Sequence, residues 1–120
     1  MAYSNPHSFH VKVRVYNTEI AFGKGVAQLL RLTEDFGSLS AAYKAMGMSS
    51  SKAWKILHRA EADLGYALVV SSSGGRDGGG SRLTSEGREL LARYEAFEQE
   101  VQRQAAAAFS KYFAHAAVRE

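Results

Sequence analysis

The sequence predicts a mainly α (α+β) fold: short helices, a small β-wing and a long closing helix. Three observations predict it. Two short segments of helical apolar spacing flank Gly47. A glycine-rich run over residues 71–80 separates two short apolar β patterns. Beyond it Leu90, Tyr94, Phe97 and Val101 step by four, three and four, as a seam on one face of a long helix does. Together they outline a helix-turn-helix over residues 38–64 followed by a wing.

Composition narrows the class. A chain of 120 residues suits a single core. A hydrophobic fraction of 46% is too high for wholesale disorder. The absence of cysteine excludes a disulfide framework, a thiolate zinc site and a cysteine nucleophile. No apolar run approaches the ~20 residues that span a bilayer, and residues 1–7 lack the basic and apolar regions of a signal peptide. The expected location is therefore the cytoplasm, with residues 1–10 as a flexible N-terminus.

In chain order, Val11, Val13 and Val15 alternate with Lys12, Arg14 and Tyr16, and Ile20 and Phe22 resume the alternation after Asn17-Thr18. Period two with a polar interruption predicts an N-terminal β-hairpin with one apolar face. At Val26 the period becomes helical, through Leu29 and Leu30, and Gly37 supplies a stop. Ser38 or Ser40 can cap a second, short helix through Met46, closed by Gly47. The serines at 49, 50 and 51 offer the cap of a third helix over residues 51–64, in which Ala53, Leu57, Ala60 and Leu64 form one buried stripe. Residues 68–70 and 82–83 read as the wing strands. Thr84, Ser85 and Glu86 then open the long helix. Glu89 with Arg93 supports that helix at four-residue spacing. Past Gln104 the apolar residues shift to Ala105, Ala108, Phe109 and Tyr112, so a separate or frayed end is expected.

Charge is unevenly spread. Residues 1–83 hold ten Lys/Arg against six Asp/Glu, and residues 84–120 hold five against six. No acid occurs between Asp35 and Glu61, where Lys44, Lys52, Lys55 and Arg59 lie. A short helix, a glycine turn and a serine-capped basic helix form the arrangement that lays one helix in a DNA major groove. The dipole and free amides at its N-terminus attract phosphate, while side chains reach base edges.

The stretch Gly37-Ser38-Leu39-Ser40-Ala41-Ala42-Tyr43-Lys44-Ala45-Met46-Gly47-Met48-Ser49 resembles the helix-turn-helix of the molybdate-responsive (ModE-type) regulators. Ala53-Trp54, the Gly-Gly-x-x-Gly-Gly-Gly wing and Arg82-Leu83-Thr84-x-x-Gly87 match the same family. The core is also similar to the N-terminal domain of LysR-type regulators, through Leu64-Gly65 and Leu83-Thr84-x-x-Gly87. The resemblance runs from about residue 11 to 101. It implies a winged helix-turn-helix DNA-binding domain over residues 11–83 and a dimerisation helix over residues 84–120. The oxyanion-binding module of full-length molybdate regulators is not expected within these 120 residues, so molybdate sensing is not carried over.

The expected function is a transcriptional regulator that binds double-stranded DNA as a homodimer, through a recognition helix at residues 51–64 and a wing at residues 71–82. The expected DNA contacts are Ser49, Ser50, Ser51, Lys52, Lys55, Arg59, Arg76 and Arg82. Leu90, Tyr94, Phe97 and Val101 are expected at the dimer interface, although they could instead close the monomer's own core. The alternative is a winged-helix protein–protein interaction module without sequence-specific DNA binding. The glycine run fails as a phosphate-binding P-loop because Gly80 stands where the lysine belongs. Trp54 is read as a packing residue rather than a base-stacking one, and His58 either touches DNA or faces solvent. The four histidines lack metal-site spacing, and the serine runs lack a nearby base and orienting acid. No enzyme activity, cofactor, metal or membrane association is expected, and the sequence names no small-molecule effector.

Overall fold

A computed structural model describes residues 6–72 and 80–114. Arg76 and most of the glycine run lie outside the described residues. The elements are α1 (Lys24–Phe36), α2 (Leu39–Ala45), α3 (Ser50–Leu64), β1 (Val69–Ser72), β2 (Gly80–Leu83) and α4 (Ser85–Phe109), with a π-helical turn at Ser110–Ala114. The expected separate end past Gln104 is that last turn, and α4 itself continues five residues further than the seam suggested.

Local chemistry accounts for the boundaries. Gly37 and Gly65 close α1 and α3 at φ of 71° and 89°, left-handed values that suit glycine. The Ser38 hydroxyl accepts from the Ala41 amide at 3.0 Å, and Ser49 accepts from Lys52 at 3.1 Å. Each satisfies one of the donors that a helix start leaves without an intrahelical partner. Of the cap candidates, Ser38 and Ser49 therefore hold the role. Thr84 caps α4, accepting from the Gly87 amide at 2.8 Å.

The core is one cluster. Val26, Leu29 and Leu30 of α1 meet Leu39 and Ala42 of α2, Ala53, Leu57 and Ala60 of α3, and Leu91 and Tyr94 of α4. The alanines allow close approach of the helices. Buried Thr33 turns its hydroxyl to the Leu29 carbonyl at 2.8 Å, so it leaves no unsatisfied polar group.

The wing is antiparallel, pairing Val69 with Leu83 and Ser72 with Gly80. Ser71, Ser72, Gly80 and Ser81 thus extend the ladder into what the sequence reads as loop. Its root is fastened on three sides. Ser81 donates to the Gly37 carbonyl at 3.0 Å, and Thr84 donates to Leu68 at 3.0 Å. Glu61 of α3 accepts from the Leu68 amide at 2.8 Å. Across the outside, Arg31 grips Glu95 through two nitrogens at 3.1 and 2.6 Å, and Arg88 does the same to Glu34 at 3.2 and 3.4 Å. Both pairs clamp α1 to α4.

The N-terminal segment corrects one expectation. The alternation holds, with Val11, Val13 and Val15 half-buried and Lys12, Arg14 and Tyr16 exposed. Instead of a hairpin ladder, a single bridge joins Val15 to Phe22, the Val15 amide donating at 2.8 Å. The reason is competition for the backbone. The Tyr94 hydroxyl donates to the Val13 carbonyl at 2.7 Å and Gln102 Nε2 to Val11 at 2.8 Å, so α4 takes acceptors that a second strand would use. Burial, then the charge of Glu98, pushes the Tyr94 pKa up and keeps that phenol a donor. The intervening turn is held elsewhere. The amides of Asn17, Thr18 and Glu19 converge on the Asp63 carboxylate at 2.7, 2.9 and 2.8 Å.

Candidate functional site

Helix α3 is held by Ala53, Leu57 and Ala60, all fully buried, with Leu64 half-buried at its end. That anchor fixes which residues face outward. At 100° per residue the centre of the exposed face is Ser51, Lys55, His58 and Ala62, each exposed. Lys52 and Arg59, seven residues apart, share one flank. Trp54 lies on the other.

The N-terminal end of α3 carries no acid in its first turn. Ser49 occupies the Lys52 amide, so by helix geometry the amides of Ser50 and Ser51 remain without an intrahelical acceptor. Those donors and the positive end of the dipole give the tip affinity for an anion. The Ser50 hydroxyl is engaged with Tyr43 of α2, and lowers that phenol's pKa, so Ser51 is the freer hydroxyl. Lys52 and Lys55 are exposed and form no ion pair with a carboxylate among the described residues. Arg59 stands 3.8 Å from Glu19, both well exposed, so it leans toward the N-terminal segment rather than along the Lys55 line. On the wing, Arg82 is exposed on β2 opposite Val70.

Trp54 is a correction. The residue is 43% exposed and its ring lies 5.1 Å from the His58 ring, one turn along α3, so it is outside the core. The helical positions force this: Trp54 sits about 100° from Ala53, and the core accepts only the Ala53, Leu57 and Ala60 face. Sequence reasoning weighed size and apolarity, whereas its angular offset from the stripe was the better signal. Asp63 was missed altogether. A carboxylate in the last turn of a helix opposes the dipole, and that conflict signals a donor from elsewhere, here the 17–19 turn.

The four seam residues divide. Tyr94 is buried in the monomer's own core against Phe22, their rings 5.2 Å apart, and is therefore unavailable to a partner subunit. Leu90 is half-buried against the same core. Phe97 is 50% exposed, and Val101 is half-buried beside it. The true inward face of α4 runs through Gly87, Leu91 and Tyr94. Among the described residues no helix is long and apolar enough to cross a membrane.

No family model matches the chain. Among curated proteins it is similar to the molybdenum transport protein ModE of Azotobacter vinelandii, 39% identical over 75 residues, 62% of this chain and 28% of that protein. It is likewise 39% identical over 62 residues to the molybdenum-pterin-binding protein MopB of Rhodobacter capsulatus, covering 52% of this chain and 23% of that protein. The chain thus spans about a quarter of the length of these relatives. Among solved structures it matches the CbnR DBD–DNA complex with a TM-score of 0.59 at 21% identity, over 72% of this chain and 94% of that one. It also matches CbnR, a LysR family transcriptional regulator, with a TM-score of 0.57 at 21% identity, over 72% of this chain and 28% of that one. The fold is the winged helix of the CbnR DBD.

Proposed function

Starting from this ModE- and LysR-like winged helix, we propose that the chain is the DNA-binding part of a transcriptional regulator. The observation that carries the reading is the exposed face of α3. An acid-free, serine-capped N-terminus leads into Ser51, Lys52 and Lys55, all solvent-facing, on a helix whose opposite side is locked into the core. A rigid helix with free cations on its outer face is what a major groove accepts. The CbnR DBD, whose fold this chain shares, was solved on DNA, which adds weight to the reading.

In this reading the tip of α3 meets a phosphate, Lys55 and its neighbours follow the groove, and Arg82 with the wing reaches the adjacent backbone. Arg76 belongs to the same proposed contact set by its position in the wing sequence. Most of these contacts position the domain, and a few read bases. Two copies paired along α4 present two α3 helices to half-sites about one turn, roughly 34 Å, apart.

Selection from a random duplex pool tests this directly. Enrichment of a palindromic motif, with affinity that falls steeply as salt rises, is the expected result, because cations released from phosphate drive binding. Failure to enrich any motif at low salt would reject the reading in favour of a protein-interaction module.

A further inference from the structure

A cleft of about 750 Å³ opens between the N-terminal segment, the start of α1, one flank of α3 and the inner face of α4. That size lies within the roughly 300–1,000 Å³ typical of small-molecule sites. Its floor is apolar: Val13, Phe22, Val26, Met48, Ile56 and the ring of Tyr94. Cations surround the floor, with Lys12, Arg14 and Lys24 from the N-terminal side and Lys52 and Arg59 from α3. Among the described residues a single carboxylate, Glu98, lines the cleft, and it already accepts from Gln102 Nε2 at 3.1 Å.

Two features make this a formed site rather than a gap. The wall at residues 11–13 is pinned to α4 by the hydrogen bonds from Tyr94 and Gln102. Arg59 has Glu19 nearby at 3.8 Å, but Lys12, Arg14, Lys24 and Lys52 pair with no carboxylate among the described residues. Gathering unpaired cations around an apolar floor raises the local positive potential beside apolar surface. A molecule with one anionic end and an apolar body answers both. Duplex DNA does not, since its outer surface offers phosphate without an apolar body to fill the floor.

We propose that this cleft binds a small amphipathic organic anion, an aromatic or branched aliphatic carboxylate. The carboxylate sits among Lys12, Lys24 and Lys52, and the apolar body lies on Val13, Met48 and Ile56, the half-buried part of the lining. The site stands independently of the DNA reading, because its ligand is detected without DNA.

The probe is 2-naphthoate, titrated into the full chain by calorimetry and followed by amide chemical shifts. Saturable binding is expected, with shifts concentrated at Val13, Phe22, Lys24 and Ile56, and 2-naphthylmethylammonium should not compete. The double variant K12E/K24E alters two exposed side chains, so its circular dichroism and melting should match the parent while its affinity for naphthoate falls at least tenfold. The proposal is overturned by the absence of binding at millimolar naphthoate, equal binding of the ammonium compound, shifts centred on Phe97 or Tyr112, or unchanged affinity in a folded K12E/K24E.

Discussion

At Gly87 the backbone of α4 passes against the Leu68 carbonyl, and a Cβ there would overlap that oxygen. The contact is backbone on backbone, so neither side can yield by a rotamer change. G87A should therefore destabilise the fold by about 1–3 kcal/mol, as overpacking does, read from the urea midpoint. Asp63 acts through charge. Burial alone would raise its pKa, but the amides of Asn17, Glu19 and Thr18 outweigh that and hold it below the ordinary carboxylate value. A carboxyl depressed in the folded state stabilises the protein above its unfolded pKa, and the contribution is lost as pH falls through the depressed one. D63N should thus melt earlier than the parent at neutral pH. The gap should close in strong acid, where Asp63 is itself protonated, and a gap independent of pH would remove the carboxylate from the explanation.

The helices and their caps were legible at the scale of elements because the signals are local. Ser38, Gly37, Ser49 and Gly65 act on amides and dihedrals a few residues away, so their roles are written in sequence order. The N-terminal hairpin was misread for the opposite reason. Its alternation is local, but the partners of Val11 and Val13 are Gln102 and Tyr94, some 80 to 90 positions on. On α4 the apolar seam registers Leu90 and Tyr94, which close the monomer's own core, but not Gly87 and Gln102, inward positions that are not large apolar residues. On α3 the stripe was read correctly, which separates two kinds of substitution. L57A should cost about 2–5 kcal/mol of stability by emptying a buried site. K55A, on the opposite face, should leave stability within about 0.5 kcal/mol. It should also reduce the slope of log K against log salt by about 1 per protomer. A K55A protein that binds its selected duplex like the parent would move the groove-facing surface elsewhere on the helix.

The molecule as a whole is elongated. Its radius of gyration is 18.7 Å and its extents are 68 × 28 × 21 Å, whereas a compact chain of this length has a radius near 14 Å. Its longest element is α4, whose 25 residues give a rod of about 37 Å. The helix carries Phe97 midway and Phe109 at its end, where the Phe109 ring lies 5.3 Å from those of Phe9 and Phe113. An exposed aromatic on a projecting rod is a natural partner surface. If two copies pair there, F97E should shift the species seen by light scattering from dimer to monomer, with the melting of the body little changed. A dimer that survives F97E would place the contact on another surface.

The fastening of the wing root has a mechanical consequence. Thr84 reaches back to the Ala67 carbonyl at 2.7 Å while capping α4, so wing and rod share one rigid elbow. Any rotation of α4 about a paired neighbour is then delivered to the paired strands of the wing, Val69–Ser72 and Gly80–Leu83. In a dimer the crossing angle of the two rods would act as a caliper setting, and the gap between the wings would be what it measures.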